Sequence, residues 1–188
     1  MPETSPEIAQ AAPPSERVLT AGAFYLIVVL IVVVDQAVKA WVRHTLALGE
    51  TIALWPGVFH LTYTQNRGMA FSLLEGATPL LAGAALLVSG VIIAAQRRAG
   101  SRMPLVYGLA LSLPLGGAIG NLIDRVWLRY VTDLFDFRLI NFPVFNVADS
   151  AITIGIALLA WRTLTAKEPA LVTAAETTGS DVSAKTAI

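Results

Sequence analysis

Apolar residues in this chain gather into four long runs separated by polar segments of unequal length. The first, AGAFYLIVVLIVVV from Ala21 to Val34, reaches membrane-spanning length only when the following DQAVKAWV is included. The second, Pro79 to Ala95, and the third, Pro104 to Ile123, carry no charge, and the fourth starts near Asn146 and ends near Leu164. The pattern predicts four membrane helices over about residues 18–41, 79–96, 104–123 and 146–164, forming one domain from 18 to 164. A cleavable signal peptide is a poor account of the first run, because the preceding tail holds more acid than base and Asp35 and Lys39 fall within the same helix. Gly108, Pro114, Gly116, Gly117 and Gly120 stud the third run, where small residues let helix backbones approach closely.

The connections add a second period. VFHLTYT, Val58 to Thr64, alternates apolar and polar residues between the turn signals Pro56-Gly57 and Asn66 to Gly68, which predicts a small β-element in the first connection. Trp55, Phe59, Tyr63 and Phe71 suit the headgroup zone. The segment Val126 to Asn141 mixes aromatic and charged residues and is expected as a lid lying on the headgroups. Residues 1–17 and 165–188 are rich in Pro, Ser, Thr, Ala and Glu without periodicity and are expected as disordered tails. The fold class is therefore an all-α membrane protein, a four-transmembrane-helix bundle with a small extracytoplasmic β-element.

An even number of spans places both termini on one side and the first and third connections on the other. Arg97, Arg98 and Arg102 crowd the short second connection without an acid, marking that side and both termini as cytoplasmic. The polar cluster then faces outward.

Composition agrees with a membrane setting: 55% of residues are hydrophobic and 14% charged, too few charges for a water-exposed globule. Thirteen basic and thirteen acidic residues balance, so nothing points to nucleic acid. With no cysteine, the chain can have no disulfide, thiolate nucleophile or Cys-ligated metal.

The candidate chemistry lies in the polar residues at the outer helix ends. Each has a bland reading: Asp35 and Lys39, four apart, can form an ion pair with Lys39 snorkelling to the interface. Asn146 can cap the fourth helix, with Asp149 in its first turn. Asp124 and Arg125 can pair at an interface. Yet acids near the bilayer centre cost about 2.5 to 3.5 kcal/mol each on insertion scales, and four spans need none for anchoring. Several acids on one face suggest a site in which two carboxylates share a proton, one activating water and the other polarising a carbonyl. Competing nucleophile systems are missing: His44 and His60 form no HExxH, and no Ser-x-x-Lys or Gly-x-Ser-x-Gly stretch occurs. No metal is indicated.

Five motifs, DQAVK from Asp35, QNRGMAFSLL from Gln65, GGAIGNLIDR from Gly116, YVTDLFDF around Asp133 and FNVADSAI from Phe145, together resemble lipoprotein signal peptidase, or signal peptidase II, over about residues 20–165. The resemblance implies an aspartic endopeptidase of the bacterial plasma membrane, without cofactor. It would remove signal peptides from prolipoproteins by cutting before the cysteine that carries diacylglycerol. Its substrate partners would be the lipidated precursor and membrane lipid, and a monomer is expected. By the same resemblance Asp133 and Asp149 are the catalytic pair, and Asp136 is the near-miss. Asn66, Gly68, Asn121, Asp124, Arg125 and Asn146 hold substrate or orient the acids, and Asp35 and Lys39 are structural or close to substrate. Thr132 stands where the family often has a second aliphatic residue. Two rival readings remain at this stage. One is a non-enzymatic transporter subunit or assembly factor whose acids bind or relay ions; the other is a different intramembrane aspartyl protease, although Gly-x-Gly-Asp is missing.

Overall fold

A computed structural model describes residues 17–68 and 77–165. The expected tails, apart from Arg17 and Thr165, and the interfacial role of Phe71 fall outside the described residues. Four long helices are present: α1 Ala21–Thr45, α2 Thr78–Ala99, α3 Leu105–Trp127 and α4 Val147–Thr165, all long and apolar enough to span a membrane.

Local chemistry sets their ends. Thr20 caps α1 by accepting the Ala23 N–H at 3.2 Å, and Arg43 and His44 occupy its last turn, where cations oppose the negative end of the helix dipole. Pro79 opens α2, and Gly100 closes it with φ at +86°, a conformation glycine adopts without a Cβ clash. Helix α1 continues past its expected end near residue 41, so Arg43 stays on the same helical face as Asp35 and Lys39.

Helix α3 is the centre of the bundle: 61% of its most apolar window is buried, against 17% for each of the others, and it packs on all three. Its small residues make this possible. A Cβ on Gly117 would collide with the Ala148 carbonyl of α4, and one on Gly116 would lie 2.8 Å from Ile31 Cβ of α1. Gly155 of α4 gives room to the Pro114 ring in the same way. Leu26, Val29 and Leu30 of α1 and Leu86, Leu87 and Val91 of α2 are exposed, as lipid-facing side chains should be.

Two small sheets cover the bundle's ends. The first, not anticipated from the sequence, pairs β1 Val18–Thr20 with β4 Arg102–Pro104, so the residues expected to open the first span are extended. Leu19 and Met103 from this ribbon join Phe24, Val28, Ile92, Leu111 and Leu115 in the main core. The second sheet has the order β2-β3-β5, with β2 Thr51–Trp55, β3 Phe59–Asn66 and β5 Val131–Phe137. Strands β2 and β3 form the hairpin expected in the first connection, while β5 arrives from the third. The lid expected over Val126 to Asn141 is thus corrected: its middle is a strand in which Thr132, Asp133 and Leu134 are buried. Pairing with β3 satisfies the backbone groups of β5 and buries Val131 and Leu134, which lying on headgroups would not do. Leu134, Tyr63, Val42 and Leu46 pack together and fix this sheet to the C-terminal end of α1. Tyr63 is therefore core rather than interfacial, while Trp55 remains largely exposed.

Candidate active site

Strand β5 and the start of α4 lie side by side because the Phe145 backbone pairs with β5. The Phe145 carbonyl accepts from Leu134 N–H at 3.0 Å and Phe135 N–H at 2.8 Å, and its N–H donates to the Phe135 carbonyl at 3.0 Å. The following residue, Asn146, is thereby set against Asp133. Asn146 also caps α4: its Oδ1 accepts the Asp149 N–H at 2.9 Å, and Asp149 Oδ2 accepts the Asn146 N–H at 3.3 Å. This is a reciprocal capping box with Asn and Asp in the two roles. The capping role anticipated for the pair is thus present, and it leaves Asp149 Oδ1 free to face elsewhere.

Asp133 and Asp149 are joined through amides. Asn66 Nδ2 donates to Asp133 Oδ2 at 3.0 Å, Asn146 Nδ2 donates to Asp133 Oδ1 at 2.6 Å and to Asn121 Oδ1 at 3.2 Å, and Asn121 Nδ2 donates to Asp149 Oδ1 at 2.8 Å. Gly68 N–H donates to Asn66 Oδ1 at 3.0 Å, which turns the amide nitrogen of Asn66 toward Asp133. Among the described residues neither acid has a Lys or Arg nitrogen within 4.0 Å. Burial and the nearby Asp149 charge push Asp133 up to about 7, against the lowering pull of the Asn66 and Asn146 amides.

Asp136 differs in every respect. It faces away from Asp133 across β5 and binds the Thr62 hydroxyl at 2.7 Å and Arg138 Nε at 2.9 Å. Burial alone would raise it, but Thr62 and Arg138 outweigh burial and hold its carboxyl below the ordinary range.

Asp35, Lys39 and Asp124 form a separate, buried cluster. Lys39 Nζ lies 2.9 Å from Asp35, 3.4 Å from Asp124 and 2.8 Å from Asn121 Oδ1. The expected snorkelling of Lys39 is corrected: it has no exposed surface, because two carboxylates and an amide inside the bundle satisfy it better than the interface can. Asp35 Oδ1 accepts the Ala148 N–H at 2.9 Å, at the start of α4, and Asp124 Oδ2 accepts the Thr132 N–H at 2.9 Å, on β5. The cluster therefore anchors the two segments that carry Asp149 and Asp133. Thr132, noted from sequence as a departure from the family pattern, takes part, as do Gln36 and Arg43, which were not among the residues singled out from sequence. Gln36 Nε2 reaches Asp35, Asp124 and the Gly120 carbonyl at 3.1–3.2 Å. The available signal was the polar stripe Asp35, Lys39, Arg43 at helical spacing on an otherwise apolar helix.

A cavity of about 730 Å³ opens beside Asp149, with Asn66, Gly68, Asn121 and Arg125 in its wall. Apart from Ser150 and Thr153 the remainder is apolar, from Ala84 and Val88 of α2 to Ile152 and Ile156 of α4. Asp133 lies one layer behind, next to Val131 and Asn66, and is 2% exposed. Among the described residues no group of three or more His, Asp or Glu is arranged to hold a metal ion.

Residues 27–165 match the signal peptidase (SPase) II family. The chain belongs to that family. It is 48% identical over 141 residues to a lipoprotein signal peptidase of Gloeobacter violaceus, covering 75% of this chain and 81% of that one. It is 42% identical to the lipoprotein signal peptidase of Moorella thermoacetica, over 75% of this chain and 92% of that one. A bacterial membrane enzyme solved by the in meso method superposes with a TM-score of 0.73 at 29% identity, covering 82% of this chain and 97% of the other. The protein is thus a four-span aspartic signal peptidase, and the activity that goes with membership is cleavage of prolipoprotein signal peptides. The reading as a non-enzymatic ion-handling protein is set aside.

Proposed function

We propose that Asp133 and Asp149 are the catalytic pair and that they cut the prolipoprotein immediately before its diacylglyceryl-modified cysteine. The observation that carries this reading is the amide chain from Asn66 through Asp133, Asn146 and Asn121 to Asp149, which links two carboxylates that, among the described residues, have no cation within ion-pair distance. Two such acids share one proton, and the titration belongs to the pair. With Asp133 pushed up to about 7, the pair keeps its proton below neutral pH and begins to lose it at neutrality.

In the reaction, the ionised carboxylate removes a proton from water as its oxygen attacks the scissile carbonyl carbon. The protonated carboxyl gives its proton to the carbonyl oxygen, forming a neutral gem-diol. Collapse breaks the carbon–nitrogen bond: the carboxyl that took the water proton gives it to the leaving cysteine nitrogen, and a gem-diol hydroxyl returns its proton to the other carboxylate as the product carboxylic acid forms, which restores the starting state. Asn66, Asn121 and Asn146 orient the acids, and Gly68 fixes Asn66. Arg125, in the cavity wall, is suited to the substrate backbone. The apolar wall between α2 and α4 suits acyl chains, while Asp35, Lys39 and Asp124 hold the framework.

The same reading sets the orientation. Arg17, Arg97, Arg98, Arg102 and Arg162 lie at the end of the bundle opposite the acids, which favours that end as cytoplasmic and the β2-β3-β5 sheet as extracytoplasmic. Both terminal tails are then cytoplasmic. Since one chain contributes every group named, a monomer suffices.

The test is cleavage by purified enzyme of one precursor with and without its diacylglyceryl group. The lipidated form should yield a product beginning at the modified cysteine, with the unlipidated form cut far more slowly; equal cleavage of both would contradict the reading.

A further inference from the structure

Strand β5 is gripped from behind. Alternation along the strand turns Thr132 to the face opposite Asp133, and Thr132 is wholly buried there. Two groups from the helices reach it: its N–H donates to Asp124 Oδ2 at 2.9 Å, and its hydroxyl oxygen accepts from Arg43 Nη1 at 3.0 Å. Arg43 is also 3.8 Å from Asp124 Oδ1, so the outer ends of α1 and α3 and the start of β5 close into a triangle.

The grip falls where the sheet's own ladder is weakest. The register between β3 and β5 shifts between Leu61 and Thr64, next to the Thr64–Asp133 pair. A bulge disrupts the ladder and bends the strand, so ladder bonds alone leave the direction of Asp133 loosely defined. A contact on the neighbouring residue, from a rigid helix, supplies the missing constraint.

We propose that Arg43 and the Thr132 hydroxyl are a positioning pair that aims the Asp133 carboxyl at Asp149. The inference rests on the assignment of Asp133 as a catalytic acid. Neither residue lines the cavity, so both act through Asp133 and not on substrate. The bond is charge-assisted, with a planar guanidinium donor and a hydroxyl acceptor. Valine at 132 keeps the shape and loses the acceptor, whereas serine keeps the acceptor. The threonine that departs from the aliphatic pattern is on this account the partner of Arg43.

The full-length enzyme is assayed on a diacylglyceryl prolipoprotein, with kcat expressed per folded enzyme from melting curves on the same preparations. Thr132→Val should lower kcat on the order of tenfold, the scale of one hydrogen bond to a charged group, with KM within about twofold, the mark of an interaction felt in the transition state. Thr132→Ser should restore most of the rate. Arg43→Gln leaves the strand's sequence intact and should give a similar loss, and the double variant T132V/R43Q should be no slower than either single one. Wild-type kcat in T132V or R43Q, or additive losses in the double variant, overturns the positioning role. Asp133→Asn serves as the reference: if it is inactive, those outcomes count against positioning alone, and if it is active the assignment of Asp133 itself fails.

Discussion

Two groups of carboxylates lie side by side at one end of the bundle, and the fold treats them oppositely. Asp35 and Asp124 are neutralised by Lys39, backed by Arg43, and spend their remaining oxygen lone pairs on backbone N–H groups of α4 and β5. Asp133 and Asp149 receive amides and no cation within ion-pair distance among the described residues, and Asp149 borders an open cavity. A carboxylate hydrogen-bonded both to an ammonium and to backbone N–H groups is pinned in place and serves as an anchor. One held only by neutral donors beside a second acid keeps an unsettled proton, which acid–base chemistry requires. The comparison teaches that partner type, more than burial, separates scaffold from proposed chemistry here.

The difference can be broken most severely at the pair itself. Asp133→Asn and Asp149→Asn should each reduce processing of a lipidated precursor by about 10³-fold or more, since general acid–base steps are lost, while leaving membrane insertion intact. Loss of insertion, or near-normal processing by either variant, would place these acids with the scaffold. Next in size is Lys39→Met, which leaves Asp35 and Asp124 buried without their cation and should cost about 3 to 5 kcal/mol of stability, read as a large fall in melting temperature. A small fall would show that the cluster's charges are not settled by Lys39.

A subtler consequence follows from protonation. Asp133 is pushed up to about 7 in the folded protein, above its ordinary value of about 3.9. The fold therefore favours its neutral form, and that contribution is complete below about pH 4 and lost as pH rises through about 7. Asp133→Asn cannot ionise, so its melting temperature relative to wild type should climb between pH 5 and 8. A difference that stays constant over that range would contradict the raised value.

Much of this was legible in the residues. Four long apolar runs predict four spans because a bilayer demands internal satisfaction of every backbone group over a fixed thickness, and VFHLTYT announces its strand by alternation. The motif resemblance brought Asp133, Asp149 and their asparagines to notice. What stayed hidden depends on contacts between distant segments. Val131–Phe137 is a strand because β3 offers it an edge, and nothing local reveals that edge. Lys39 turns inward because Asp124, far along the chain, meets it there. Gln36 and Arg43 escaped notice, and the partner of Thr132 stayed hidden, for the same reason, since a polar residue beside a motif shows its partner only once the helices are packed. Gly120 belongs with them: a Cβ there would lie 2.6 Å from Asp35 Oδ2, so the helix contact and the ion cluster need that glycine together.

The central claim is that a single proton shared by Asp133 and Asp149 performs the cleavage, and its most direct test is kcat/KM for a diacylglyceryl prolipoprotein measured across pH. The account predicts a bell, falling on the alkaline side as the pair loses its proton near pH 7 and on the acid side as both carboxyls become protonated. A rate that is level through both limbs, in an enzyme that remains folded throughout, would contradict it.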